Sequence, residues 1–259
     1  MKQPALYIPH GGGPWPWMED PRGLWTDIDT YLTGILESLP GRPDVIVVIT
    51  AHWEAPQFTV ASGAHPALIF DYYGFPEHTY AVTYPAPGSP EVAAELVRLA
   101  SEAGIMLSES HEYGWDHGVF VPLHVINQPA DIPIVAVSLA QGLDPELHIA
   151  LGRALAPIRD RNVLVLGSGM STHDLSGRLT DEQADAFDAW LEDTMMSPAH
   201  DREAQLARWS EAPGGRASHP REEHLLPLMV VAGAGSDDAV TRSMKGTAMG
   251  FPIAGYRFG

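Results

Sequence analysis

Histidine is the residue type that offers chemistry here. Twelve histidines stand in a chain of 259 residues with no cysteine, so a metal site must be built from imidazole and carboxylate. Disulfides, Cys-ligated zinc, iron–sulfur clusters and thiolate nucleophiles are excluded. Three of the twelve follow short apolar, β-branched runs. His10 comes after Tyr7-Ile8-Pro9 and leads into Gly11-Gly12-Gly13; His52 follows Val48-Ile49-Thr50-Ala51; His173 follows Gly167-Ser168-Gly169-Met170-Ser171-Thr172. Ligands of open α/β sheets bind beyond the carboxyl ends of the strands. Three histidines at that edge therefore read as a zinc or non-heme iron site, since neutral imidazole suits both metals.

His117, within Asp116-His117-Gly118, and the pair Glu223-His224 extend the cluster. On a helix, adjacent side chains point about 100° apart, so only one of Glu223 and His224 can reach a metal held by His10 and His52. Glu223 would complete a two-His-one-carboxylate facial triad of the Fe(II) oxygenase kind, and His224 a three-His site equally acceptable to zinc. Both stay open at this point. His65, His78, His111, His124, His148, His200 and His219 have no such placement and read as surface or structural residues, although His219, four residues before Glu223, could share a helical face with it. Gly11-Gly12-Gly13 lacks the Gly-Lys-Ser/Thr of a P-loop, and Gly167-x-Gly169 has Thr172 where a dinucleotide loop needs its third glycine. There is no Gly-x-Ser-x-Gly elbow and no His-Glu-x-x-His helix.

The elements that must position these residues alternate along the chain. Strands are expected at Ala5–Ile8, Val45–Thr50, Phe58–Ser62, Ile132–Ser138, Val163–Gly167 and once within Gly246–Phe258; helices at Leu24–Leu39, Pro90–Ala103, Pro145–Ile158, Thr180–Met196, His200–Trp209 and Glu222–Ala232. Ser89-Pro90 and Asp144-Pro145 place Pro in a first helical turn behind a capping side chain, and Thr180 with Gln183 has capping-box spacing. The pattern predicts one α/β domain over residues 1–259, a mostly parallel central sheet covered by helices with its site at the carboxyl ends of the strands. Phe70–Ser89 is too aromatic for a linker and reads as a structured loop over the site, where Tyr72, Phe75, Tyr80 and Tyr84 could wall a ring-shaped pocket. With 15 Lys+Arg against 33 Asp+Glu, net charge −18, neither nucleic acid nor an anionic membrane is an expected partner. The longest apolar run, Leu225 to Gly235, is short of the ~20 residues of a bilayer span, and Met1 to Trp17 has no apolar core of a signal peptide. A cytoplasmic monomer or small homo-oligomer acting on small molecules is expected.

Taken in order, Pro9-His10-Gly11, Ala51-His52-Trp53-Glu54, Asp71-x-x-Gly74-Phe75-Pro76, Tyr84-Pro85-Ala86-Pro87-Gly88, Asp116-His117-Gly118, Gly167-Ser168-Gly169-x-x-Thr172-His173 and His219-Pro220-x-x-Glu223-His224-x-Leu226-Pro227-Leu228 resemble the LigB-like class III extradiol ring-cleavage dioxygenases, DOPA-dioxygenase type. The resemblance runs from residue 4 to about 258; Pro9 departs from it, because the family often has Ser there. It implies a metal held by His10, His52 and His224, with His173 as acid/base and as a further ligand when no substrate is bound. It also implies Fe(II) for turnover, with Zn(II) a frequent occupant, and cleavage of a catechol by O2 to a muconic semialdehyde-type product. His117 is then a contact to a substrate oxygen or a support behind a ligand, with a purely structural hydrogen bond as the alternative. Two other classes compete: a non-enzymatic binding protein of the same fold, against which the complete set of histidines counts, and a zinc hydrolase with a metal-activated water, which would need no O2.

Overall fold

The computed structural model describes residues 1–259. Eight strands form one sheet: β1 Ala5–Pro9, β2 Val45–Ala55, β3 Thr59–Ala61, β4 Ser108–Ser110, β5 Ile134–Ala140, β6 Val163–Gly169, β7 Val240–Ala248 and β8 Phe251–Phe258. Their order is β4-β3-β5-β2-β6-β1-β8-β7. The central four, β5, β2, β6 and β1, run parallel, while β8 joins β1 antiparallel and β3 joins β5 antiparallel. The nine helices are α1 Thr26–Thr33, α2 Ile35–Ser38, α3 Pro90–Glu102, α4 His117–Ile126, α5 Pro145–Leu155, α6 Asp181–Met196, α7 Ala199–Leu206, α8 Gly215–Ser218 and α9 Leu226–Ala234.

The parallel strands are apolar on both faces, as strands covered by helices on two sides must be. In β1, Ala5 and Tyr7 pack into one core while Leu6 and Ile8 pack into the other. The expected α/β domain is thus present. Helix starts follow the expected chemistry: the Ser89 hydroxyl accepts from the Val92 N–H, Asp144 from Glu146 and Leu147, and Thr180 and Gln183 close a reciprocal capping box.

Four local expectations need correction. The helix expected over Leu24–Leu39 is two pieces, α1 and α2, parted at Gly34. The single C-terminal strand is a hairpin, β7 and β8, turning through Met249 and Gly250, both at positive φ (52° and 92°). Helix α4 was not expected at all: it is buried nearly all round and carries Pro122 inside, so it has no polar stripe to betray its period. The helix expected from Glu222 begins only at Leu226, so Glu223 and His224 lie in the turn before it and helical geometry does not govern their directions.

Candidate metal centre and active site

Three adjacent parallel strands deliver three histidines to one edge. β2, β6 and β1 are neighbours; His52 lies near the end of β2, His173 four residues beyond β6, and His10 directly after β1. Between Ile49 and Glu54 the register of β2 against β5 shifts, and this irregularity lifts Thr50 to Trp53 out of the ladder, as bulges near sites do. The turn after β1 is set by Gly11, at φ +80°, where a Cβ would lie 2.4 Å from Trp15 Nε1; the Trp15 indole instead donates to the His10 carbonyl at 2.8 Å. His224 comes from the far side of the chain and is pinned by its backbone, its carbonyl accepting from the Met170 N–H at 3.0 Å and the Tyr7 hydroxyl at 2.9 Å.

Each of these imidazoles has an acceptor on its Nδ1 side. His10 Nδ1 lies 3.2 Å from Ser168 Oγ, which itself donates to the Gly118 carbonyl; His52 Nδ1 faces Asp71 Oδ2 at 3.4 Å; His224 Nδ1 lies 2.9 Å from Glu223 Oε1. With the protons so assigned, every Nε2 is a free lone pair, the arrangement seen where a second layer of acceptors orients metal-binding imidazoles. The Nε2 atoms of His10 and His52 face each other at 3.2 Å. With both protons on Nδ1, the two lone pairs would repel at that distance unless they shared a cation.

Ring spacing separates ligand geometry from mere crowding. A metal about 2.05 Å from Nε2 sits about 3.2 Å from the ring centroid, so imidazoles about 100–110° apart around one ion have centroids about 4.9–5.2 Å apart. His10–His52, His52–His224 and His10–His224 are at 4.9, 5.0 and 5.2 Å. Two alternative groupings bring nitrogen or carboxylate atoms within 4.8 Å of one another, His10-His52-His117 and His173-Glu223-His224, but their rings are too close: His52–His117 is 3.8 Å and His173–His224, stacked, is 3.4 Å. By ring spacing His10, His52 and His224 are the near-equidistant trio, whereas by ligand-atom separation His10 and His52 group with His117. All three of the trio are held as neutral imidazoles. Burial, then the neighbouring imidazoles, keeps His10 and His224 well below the usual histidine range, and burial followed by His117 lowers His52 against the opposing pull of Asp71.

His117 and His173 flank the trio. The backbone N–H of His117, at the first turn of α4, donates to Asp71 Oδ1 at 2.9 Å, and its Nδ1 lies 2.8 Å from the same oxygen. Asp71 thus braces His117 with one carboxylate oxygen and His52 with the other. Burial raises and the contacts with His117 lower the Asp71 pKa, the net effect being downward. His173 stacks on His224 with Nδ1 3.8 Å from Glu223 Oε1, and burial lowers its pKa while Glu223 opposes. Glu223 is tied outward through Arg221, which makes a bidentate pair with Glu54 at 2.5 and 2.7 Å. Helix α4 is docked onto the His52 segment by Asp116. Its carboxylate makes no helix cap and accepts instead from Thr50 and Tyr113, each at 2.8 Å; burial, then Asp71, pushes its pKa up to about 6.

All six sequence-designated residues, His10, His52, His117, His173, Glu223 and His224, come together. His219 does not join them; it is buried between the Phe187 and Trp209 rings with Nε2 3.0 Å from the Ser171 carbonyl. Of the aromatic loop, Tyr72 meets His117 edge-on at 5.8 Å, whereas the Tyr84 hydroxyl is spent on the Leu123 and Asn127 carbonyls. The bracing roles of Asp71, Ser168 and Asp116 went unread in sequence; Asp71 lies 46 positions from His117, and no spacing rule joins them.

A parallel sheet that gathers buried imidazoles at its carboxyl edge, His52 and His224 braced by carboxylates and His10 by a hydroxyl, has the make-up of a metal-dependent α/β enzyme. Residues 5–259 match the family described as the catalytic LigB subunit of aromatic ring-opening dioxygenase, and the chain belongs to that family: it is an aromatic ring-opening dioxygenase, acting on a small molecule with O2. Curated relatives include the 4,5-DOPA dioxygenase extradiol of Beta vulgaris, 36% identical over 76% of this chain and 75% of that one, and that of Escherichia coli K12, 32% identical over 96% and 92%. The dioxygenase tasH of Hapsidospora irregularis is 34% identical over 99% of this chain and 85% of its own. Among solved structures, an uncharacterized protein of Escherichia coli K12 superposes with TM-score 0.80 at 28% identity, each chain covered completely. No helix is long and apolar enough to cross a membrane.

Proposed function

We propose that the protein opens the ring of a catechol beside its diol, with His10, His52 and His224 holding a non-heme Fe(II) and a muconic semialdehyde-type compound as product. The observation that carries this reading is the trio of near-equal ring separations, 4.9, 5.0 and 5.2 Å, among imidazoles whose Nδ1 sides are all engaged. Ferrous iron, when bound, supplies a Lewis acid for the diol oxygens and a redox centre for O2; zinc suits the same imidazoles but cannot change oxidation state.

The chain's own groups handle protons and position. His173, neutral near pH 7, takes a phenolic proton at Nε2, because its Nδ1 side faces Glu223; the Glu223 carboxylate then stabilises the imidazolium, which returns the proton later in the reaction, a contribution of typically 10²–10⁴-fold. His117, its Nδ1 fixed on Asp71, presents Nε2 to a substrate oxygen. Tyr72, its hydroxyl donated to the Thr79 carbonyl at 2.6 Å, turns a ring toward the site.

Anaerobic loading with Fe(II), then air and a panel of DOPA, caffeate, protocatechuate and gallate, is expected to give O2 uptake with a yellow product from at least one catechol. An iron-verified sample that consumes no O2 with any of them would overturn the reading.

A further inference from the structure

A cavity opens beside His173. It has a volume of about 260 Å³ and shares Gly11, Gly12 and His173 with the site, below the ~300–1,000 Å³ of whole-ligand pockets; it suits a ring substituent better than a complete substrate. Its walls are mainly apolar, with Trp25, Met170 and Phe251 beside the Thr172 side chain, and with Met249 and the Leu175 of the loop that follows His173 at its mouth. No Lys or Arg lines it. Its one carboxylate, Asp174, is turned into its own loop, accepting from the backbone N–H groups of Ser176, Arg178 and Leu179 at 2.8, 3.1 and 3.0 Å. At the rim, Leu175 and Met249 are 79% and 56% exposed, bare apolar surface with nothing in this chain to cover it. Mainly apolar walls, a spent carboxylate and an uncovered apolar rim around a mouth adjoining the acid/base are what a hydrophobic substituent would bury.

We propose that this cavity receives the side chain of the catechol and that the preferred substrates carry an uncharged, apolar substituent para to one hydroxyl rather than a carboxylate or an ammonium group. A carboxylate placed there would lose its water without gaining a cation, in a chain of net charge −18. The inference rests on the proposed ring-opening site, since that site puts the diol next to His173.

The test compares 4-butylcatechol, 3-(3,4-dihydroxyphenyl)propanoate and 4-(3-aminopropyl)catechol at matched reach. With Fe(II)-loaded enzyme, kcat/KM for the butyl compound is expected to exceed both others at least tenfold. Calorimetric binding to zinc-loaded protein, where no turnover occurs, is expected to give the same order. Leu175→Lys, at a 79% exposed position, is expected to shift both readouts toward the propanoate by tenfold or more. Arg178, in the same loop as Leu175, is a cation outside the lining, its Nε 3.3 Å from Ser176 Oγ. If the propanoate or the amine is preferred, or if Arg178→Gln reduces propanoate binding in the wild-type background to reveal a carboxylate site, the proposal falls. Binding in the expected order without O2 uptake from any catechol would defeat the ring-opening reading and support the cavity's assignment.

Discussion

Replacing His224 and His117 separately with Ala tests the spacing argument that chose between them. A three-imidazole trio at 4.9, 5.0 and 5.2 Å includes His224; the rival grouping puts His117 in its place. Four-ligand zinc sites are worth about 10–16 kcal/mol, roughly 3 kcal/mol per ligand, so His224→Ala is expected to weaken zinc or Fe(II) binding by about 10²-fold or more at 1.4 kcal/mol per decade. Glu223 Oε1 lies 2.9 Å from the lost ring and could step in as a substitute ligand, so the same measurement is made in a His224→Ala, Glu223→Gln protein. His117 supports the trio through Asp71, at 2.8 Å from one oxygen while the other faces His52 at 3.4 Å, and by its ring contact with His52. Losing it should cost less than the 10–100-fold typical of direct supports, about tenfold at most, while slowing turnover of the iron-loaded enzyme. Competition against a chromophoric chelator measures both. A larger affinity loss for His117→Ala than for His224→Ala would refute the reasoning from ring separation.

Gly118→Ala should disturb the same centre from behind, because a Cβ there would stand 2.8 Å from both His52 Cδ2 and Thr50 Oγ1; overpacking of about 1–3 kcal/mol predicts a fall of roughly 2–10 °C in melting temperature, with weakened metal binding in titration. Acid stability is expected to involve His148, a histidine remote from the metal: its Nδ1 faces the Asp144 carbonyl at 2.7 Å, its Nε2 accepts from the Ala140 N–H at 3.4 Å, and burial pulls its pKa down to about 4. Since the folded pKa is depressed, the unfolded chain binds the proton first, and stability present above the ordinary pKa of ~6.5 falls as pH drops toward 4, by about 2 kcal/mol at pH 5. Urea titrations at pH 7 and 5 should show the wild-type advantage over His148→Gln shrinking by that amount, and an unchanged difference would refute it. Chelation should abolish O2 uptake, Fe(II) should restore it, and zinc should bind without restoring it; recovery with zinc would instead fit a hydrolytic metal site.

What sequence made legible was the strand ends. Ile46 to Ile49 and Leu164 to Leu166 are buried at 0–1% exposure, and runs apolar enough to be covered on both faces announce parallel strands, so His52 and His173 could be located beyond them. The site was less legible where its parts are held by tertiary contact. Helix α4 bears His117 but is apolar all round, and Asp71 braces two histidines from within an aromatic loop, which no periodicity marks. The edge strand β7 alternates only weakly between buried and exposed residues, leaving β8 as its sole visible half. A helix over Glu222–Ala232 would make Glu223 a rival ligand to His224, but α9 begins only at Leu226. The turn that replaces that helix lets both residues act together, with Glu223 on the His224 Nδ1 edge.

Charge balance gives that pairing a further reason. Three neutral imidazoles bring no charge to a divalent ion, and a bare dication buried beside His10 and His224, 2% and 5% exposed, would be costly. Asp71 stands behind His52 and Glu223 behind His224, with Arg221 shared between Glu223 and Glu54, so an ion held by the proposed trio would have two carboxylates close behind its ligands. A carboxylate in place of one imidazole would leave as many positions open, so what favours the carboxylates at a distance here is their place on the Nδ1 edges of His52 and His224. If His52 and His224 hold the ion as proposed, carboxylates on their Nδ1 edges would make both imidazoles more basic ligands. The same carboxylates border His117 and His173, so the residues that would balance the ion also tune the groups proposed to move protons beside it.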